Sequence, residues 1–218
     1  MQAIALTGFR KIGKPNDVNA STASPLGDGT GSVPGLATGN CVQVRDEPLA
    51  YIRQATRHDT GKVAEVLLEA AQRLEQGNMS MWRGDELRPS RIATDVGAGL
   101  FFIAECDGEA TGVMKFQLED GQFWPDVPQG ESVYVHWLAV RRHFAGGGVS
   151  LALLNWAVER VRSHRRDYLR LDCEASRPKL RAVYENFGFV HHSDRQVGPY
   201  VVARYEYKVG RLLADQSP

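Results

Sequence analysis

Three consecutive glycines, Gly146, Gly147 and Gly148, separate an apolar β run, Ser132–Val140, from an amphipathic helix. The inward residues of that helix are Val149, Ala152, Leu153, Trp156, Ala157 and Val161. A strand that ends in glycines at a helix start is compatible with few local structures. The first N–H groups of a helix have no intrahelical partner, and its dipole places partial positive charge there. Glycines let a ligand approach that backbone, so the segment predicts an anion site, most often for phosphate or pyrophosphate. A phosphate-binding P-loop needs a Lys after its last glycine, and none is present. A dinucleotide fingerprint needs a third Gly or Ala where Leu151 stands, and a tighter turn than the five residues Arg141 to Ala145 allow, although Asp172 lies about where its ribose-binding acid belongs. A glycine turn without a ligand is the remaining local reading.

Periodicity extends the frame on both sides. Tyr51–Gln54 reads as a short strand. Asp59 caps a predicted helix with the stripe Val63, Val66, Leu67, Ala70, Ala71 and Leu74, ended by Gly77. A weaker helix covers Arg88–Val96. Leu100–Glu105 and Thr111–Leu118 flank the hairpin signal Asp107-Gly108. After a Pro-containing loop, 121–130, come the Ser132–Val140 strand, the glycine loop and its helix. Tyr168–Cys173 reads as a strand. Pro178 opens a helix with Leu180, Val183, Tyr184 and Phe187 on one stripe, and Phe189–His192 and Tyr200–Lys208 close the chain as strands. The order β-α-α-β-β-β-α-β-α-β-β predicts one α/β domain over residues 51–210. It would hold a mixed, mostly antiparallel twisted sheet of about six to seven strands flanked by about four helices. Residues 1–50 carry Gly, Pro, Ser, Thr or Asn at 21 positions and Phe9 as their one aromatic, so they read as a flexible N-terminal extension. Residues 211–218 read as a C-terminal tail.

Charge narrows the partners. Lys+Arg and Asp+Glu are 26 each in 218 residues, for a formal net charge of zero. Nucleic-acid binding, which draws its affinity from neutralising phosphates, is therefore not expected. No apolar run reaches the roughly 18–20 residues that span a bilayer, so no membrane association is expected. Cys41, Cys106 and Cys173 are odd in number and without a CxxC pair. Neither a disulfide framework nor a zinc site is expected, and a reducing cytoplasm is the default location. No metal is assigned, because His191 and His192, adjacent on a strand, point to opposite faces.

Taken together, Leu138-Ala139-Val140, the loop to Gly148 and the helix start Val149-Ser150 resemble the acetyl-coenzyme A signature of the GNAT superfamily of N-acetyltransferases. Arg177-Pro-Lys-Leu-Arg-Ala-Val-Tyr184-Glu-Asn-Phe-Gly-Phe189 resembles the family's second half, at the family's spacing. The resemblance spans residues 132–190. Ala145 stands where the family has Arg or Gln, Ser150 where it has Gly or Ala, and Arg177 where it has Asn. The resemblance implies that acetyl-CoA, as cosubstrate, is held by the backbone of Leu138, Ala139 and Val140 and by Ala145, Gly146, Gly147, Gly148, Val149 and Ser150. Arg177 is a further candidate for a coenzyme contact.

It also implies direct acetyl transfer to a primary amine, expected to be that of a small molecule. A backbone donor at Leu138 can polarise the carbonyl, and Tyr184 is the implied general acid for the leaving sulfur. An amine of pKa near 10.4 must lose a proton before it attacks. Glu131, before the strand, and His136, on it, are the candidate bases. Simple alternation puts Tyr134, His136 and Leu138 on one face of that strand, and Val133, Val135 and Trp137 on the other. Trp82 and Trp124 are candidates for an acceptor pocket or for core cover. The three departures keep a non-catalytic acyl-CoA sensor on the same fold as the alternative, with a protein lysine or N-terminal acetyltransferase as the nearer one. The oligomeric state is open, and a homodimer is compatible with it.

Overall fold

The computed structural model describes residues 50–76 and 86–210. Gly77 and Trp82, the predicted extension before residue 50 and the tail after 210 lie outside them. The elements follow the predicted order. β1 (Tyr51–Gln54) and a 3-10 turn lead into α1 (Thr60–Gln76), which buries its predicted stripe. Asp59 does not cap α1. Its carboxylate instead accepts from the Thr56 amide and hydroxyl and from both ends of the Arg53 guanidinium, closing the turn ahead of the helix. Next come α2 (Pro89–Gly97), β2 (Phe101–Cys106), β3 (Glu109–Gln117), β4 (Ser132–Val140) and α3 (Val149–Ser163). β5 (Tyr168–Glu174), α4 (Pro178–Phe187), β6 (Val190–Val197) and β7 (Tyr200–Lys208) complete the fold.

The strands form one seven-stranded sheet ordered β1-β2-β3-β4-β5-β7-β6. Every neighbouring pair is antiparallel except β4 and β5, which are joined by the α3 crossover and run parallel. Alternation sorts the core into two faces. Val133, Val135, Leu169, Leu171, Ala203 and Tyr205 pack with α3 and α4, while Phe101, Ile103, Val113 and Ala139 pack with α1 and α2. Each such large apolar side chain contributes about 1.5–3 kcal/mol by its burial. Gly112 lets β3, β4 and α3 close on one another, since a Cβ there would lie 3.0 Å from the Ala139 carbonyl and 3.0 Å from a Val149 methyl.

Two irregularities in β4 shape the molecule. Its pairing with β5 runs from Ser132↔Tyr168 to Val135↔Leu171 and stops, although β4 continues to Val140 and β5 to Glu174. The two strands therefore diverge from His136 and Asp172 onward. At the same level β4 bulges: its register with β3 jumps between Val113↔Ala139 and Lys115↔His136, and Trp137 sits at φ +54°. A bulky residue in the left-handed region costs of order 1–3 kcal/mol and persists only where its surroundings impose it. The bulge corrects the predicted alternation. Trp137 packs on the α1–α2 face, next to His136, and Leu138 joins Val133 and Val135 on the α3 face.

The 118–131 loop crosses the α1–α2 face of β4, β5 and β7. Phe123 and Trp124 are buried on Tyr134 and Val202. Trp124 lies beneath two guanidinium groups, Arg204 at 4.7 Å and Arg170 at 5.3 Å, which makes it core cover. Among the described residues no helix is long and apolar enough to cross a membrane. Cys173 is a free, buried thiol.

Candidate active site

The site is built at the β4–β5 divergence and on the loop that follows β4. Gly146 and Gly148 adopt φ +81° and +87°, a region open to glycine, and turn the chain into α3. The first helical bond there is donated by Ala152 to the Gly148 carbonyl. The amides of Gly146, Gly148, Val149, Ser150 and Leu151 therefore donate to no backbone acceptor among the described residues. Gly146 and Gly147 are exposed. The result is a cradle of free N–H groups at a helix start.

The divergence supplies a second row of donors. The Arg141 amide donates to the Thr111 carbonyl on β3. Alternation then turns the Ala139 amide toward β3 as well, and those of Leu138 and Val140 away from it, into the opening. Leu138 and Val140 thus offer free backbone to a ligand, and Ala139 does not.

At the mouth of the opening lies a buried line of three side chains. His136 is fully buried, with Nε2 3.1 Å from Asp120 Oδ2 and Nδ1 3.5 Å from Asp172 Oδ1. Asp120 is anchored by the amides of Gln122 and Phe123, each 3.0 Å from Oδ1. Burial raises the Asp120 carboxyl, but His136 and those amides outweigh it and hold the group below the ordinary range. Burial dominates at His136 and lowers it, despite Asp120. Burial also pushes Asp172 well up, with the Asp120 charge adding and Arg204 opposing.

Ligand atoms of the three residues lie within 4.8 Å of one another, close enough to consider a metal ion.

Tyr184, on α4, is fully buried between Phe189 and Tyr205, and its hydroxyl has no partner among the described residues. Burial pushes the phenol well above its usual value; Cys173 and Asp172 add to this and Arg177 opposes it. The phenol stays protonated, as a proton donor must.

The Acetyltransferase (GNAT) family model matches residues 46–189 of this chain. The chain belongs to the GNAT acetyltransferase family. It is an acetyl-CoA-dependent N-acetyltransferase. An uncharacterized N-acetyltransferase, YesJ of Bacillus subtilis (strain 168), is 27% identical over 158 residues, covering 67% of this chain and 87% of the relative. A GNAT acetyltransferase of Listeria monocytogenes 4b F2365 shares the fold at a TM-score of 0.62 and 20% identity, over 73% of this chain and 94% of that one. The yncA protein of Salmonella typhimurium, solved with acetyl-CoA, does so at 0.57 and 15%, over 78% and 99%.

Within this GNAT domain the predicted residues divide. His136, Leu138, Val140 and Tyr184 gather around the divergence, with the Gly146–Ser150 loop at its end. Arg177 stands at the N-cap position of α4, within electrostatic reach of Tyr184. Glu131 does not join them. It sits before β4, roughly 16 Å along the strand from His136 at ~3.3 Å per residue, and its carboxylate is paired with Arg170 at 3.3 Å. The sequence reading missed Asp120 and gave Asp172 no role in this fold. Asp120-Gly121 just before the loop carried a turn signal, and Asp172 was a charged residue inside an apolar strand. Either could have drawn attention.

Proposed function

We propose that this enzyme acetylates the primary amine of a small molecule by direct attack on acetyl-CoA in a ternary complex. The observation that carries the reading is the convergence, at one strand divergence, of a proton acceptor, a proton donor and two rows of free amides. Acetyl-CoA supplies an activated acyl carbon. The amides of Gly146, Gly148, Val149 and Ser150, with the Ser150 hydroxyl, bind its pyrophosphate, which makes an Arg or Gln at Ala145 dispensable. Leu138 and Val140 hold the pantetheine arm, and Arg177 flanks it. The Leu138 amide stabilises the developing oxyanion. His136, with Nε2 3.1 Å from Asp120 Oδ2, is the base, and Tyr184 protonates the departing sulfur.

Direct attack is favoured because Cys173, the free thiol beneath the site, is pushed up to about 12 by burial and supplies no thiolate. A slender primary amine is favoured because His136 is fully buried under the 118–131 loop. The test is saturable, amine-dependent release of free thiol, with calorimetric binding of coenzyme A as its control. Coenzyme binding without thiol release for any amine defeats the reading. Tyr184→Phe is expected to lower kcat about tenfold and leave KM for acetyl-CoA unchanged. That loss lies below the usual range for general acids because a thiolate of pKa about 8.5 leaves tolerably unaided. Steady-state kinetics at saturating amine check it.

A further inference from the structure

We infer that Asp120, His136 and Asp172 form a site for a zinc-like divalent cation, and that the ion competes with catalysis for the imidazole. The site itself stands on geometry; only its effect on turnover rests on the acetyl-transfer reading. Five polar atoms converge there: Asp120 Oδ2, His136 Nδ1 and Nε2, and both Asp172 oxygens. Each is buried, and none makes a hydrogen bond among the described residues. His136 is fully buried and Asp172 is 1% exposed. Buried polar atoms are nearly always satisfied, and one left over calls for a water or an ion. Here they gather in one cluster.

The spacing suits ligands of one metal. Zinc takes imidazole nitrogen at about 2.0–2.1 Å and carboxylate oxygen at about 2.0–2.2 Å, so two ligand atoms in a tetrahedral shell lie roughly 3.3 Å apart. His136 Nε2 and Asp120 Oδ2 are 3.1 Å apart. At that distance only direction can disqualify a hydrogen bond, so the oxygen lies off the ring N–H axis, as atoms aimed at a shared ion do. One ligand atom from each residue lies within 4.8 Å of the other two, which leaves Asp172 at most about 1.5 Å to close. Asp120 is pinned through Oδ1 by the amides of Gln122 and Phe123. No hydrogen bond holds the Asp172 carboxyl, so Asp172 is the ligand that turns.

Charge points the same way. Two carboxylates flank one buried imidazole, and the basic residues opposite them in the sheet are engaged elsewhere. Lys115, paired with His136 in the β3–β4 register, lies 2.8 Å from Asp95; Arg204, paired with Asp172, lies 2.9 Å from Asp126. Buried charges are paired or coordinate metals, and a dication neutralises both carboxylates. One nitrogen and two oxygens leave a fourth position for water, as in open zinc sites, whereas magnesium and calcium prefer oxygen shells. A coordinated imidazole is no longer a base, and the ion stands at the mouth of the divergence. A loaded site therefore shuts out proton transfer from the acceptor amine.

Calorimetric titration of the chelator-treated full chain with Zn2+ tests the site, with coenzyme A binding as the check that each variant is folded. One zinc per chain is expected. Asp172→Asn and His136→Gln should each weaken it about a hundredfold, since even the groups behind a metal's ligands cost 10–100-fold when removed. Asp194→Asn, at the exposed His191–Asp194 pair, should leave the titration unchanged. Co2+ bound to the wild type, a readout that needs no variant, should show the intense visible absorption of a four-coordinate ion. The site is overturned by no binding, by binding unaltered in both ligand variants, by loss in Asp194→Asn instead, or by the weak absorption of six-coordinate Co2+. Zinc at saturation is then expected to abolish formation of acetylated amine. Full turnover with the site loaded overturns the competition, and with it the base role of His136 in the acetyl-transfer reading, while the binding result stands.

Discussion

His136→Gln is expected to reduce kcat by about 10²–10³-fold, within the usual range for losing a general base, with KM for acetyl-CoA unchanged. Glutamine can still reach Asp120, so the loop that carries Asp120 keeps its contact while the base disappears. The coenzyme cradle lies on the loop after β4 and is untouched. The pH dependence has a definite sign. Burial lowers the His136 pKa, so the native imidazole remains neutral below the ordinary value of about 6.5. The unfolded chain binds a proton there that the folded chain refuses, so this residue costs the wild type stability as pH falls through about 6.5 and below. His136→Gln removes that penalty, and its thermal stability should fall less steeply toward pH 5 than that of the wild type. Thermal melts across pH 5–8, with steady-state kinetics at saturating amine, check both parts. A wild-type kcat in the variant sinks the assignment.

The sequence exposed the frame of this molecule more fully than its active site, for physical reasons. Apolar periodicity reports which face of an element is buried, and the stripe Val63, Val66, Leu67, Ala70, Ala71, Leu74 came through unchanged. The glycine cradle was legible because few local structures need three glycines at a helix start. The bulge at Trp137 was not legible. Nothing in Val135-His136-Trp137-Leu138 marks a left-handed residue, and the conformation is imposed by the pairing with β3. That single residue reverses the faces of Trp137 and Leu138. It leaves His136 buried at the divergence and gives the Leu138 amide to the opening. The buried cluster was hidden for a different reason. Asp120, His136 and Asp172 come from a loop and two strands, and only the parallel register at Val135↔Leu171 sets two of them opposite each other. Glu131 looked equivalent to His136 in the sequence, and its pairing with Arg170 is a tertiary fact.

Asp126→Asn is expected to destabilise the fold by about 2–3 kcal/mol, through the group it leaves behind. Arg204 is 3% exposed on β7 and holds the 118–131 loop in place. Its guanidinium donates to the Asp126 carboxylate at 2.9 Å, to the Phe123 carbonyl at 3.1 Å and to the Ser193 hydroxyl at 2.7 Å, and it lies against the Trp124 ring. Removing one partner of a buried pair leaves a desolvated charge uncompensated, usually at about 3–5 kcal/mol. Asp126 is itself half exposed, so water recovers part of that cost. At about 2–4 °C per kcal/mol for a domain of this size, the melting temperature should fall by roughly 4–12 °C. The sign with pH separates lost charge from lost packing. Arg204 holds the Asp126 carboxyl well below the usual range, so its contribution is present above the unfolded value of about 3.9 and fades as pH falls further. Asparagine does not titrate, so the gap between wild type and variant should narrow from pH 7 toward pH 3. A gap undiminished at pH 3 means packing is responsible, and no gap at pH 7 means the ion pair carries nothing. Because the same loop carries Asp120, loosening it also weakens the grip on His136. The variant should therefore lose kcat a few-fold while KM for acetyl-CoA, set across the sheet at the glycine cradle, stays where it was.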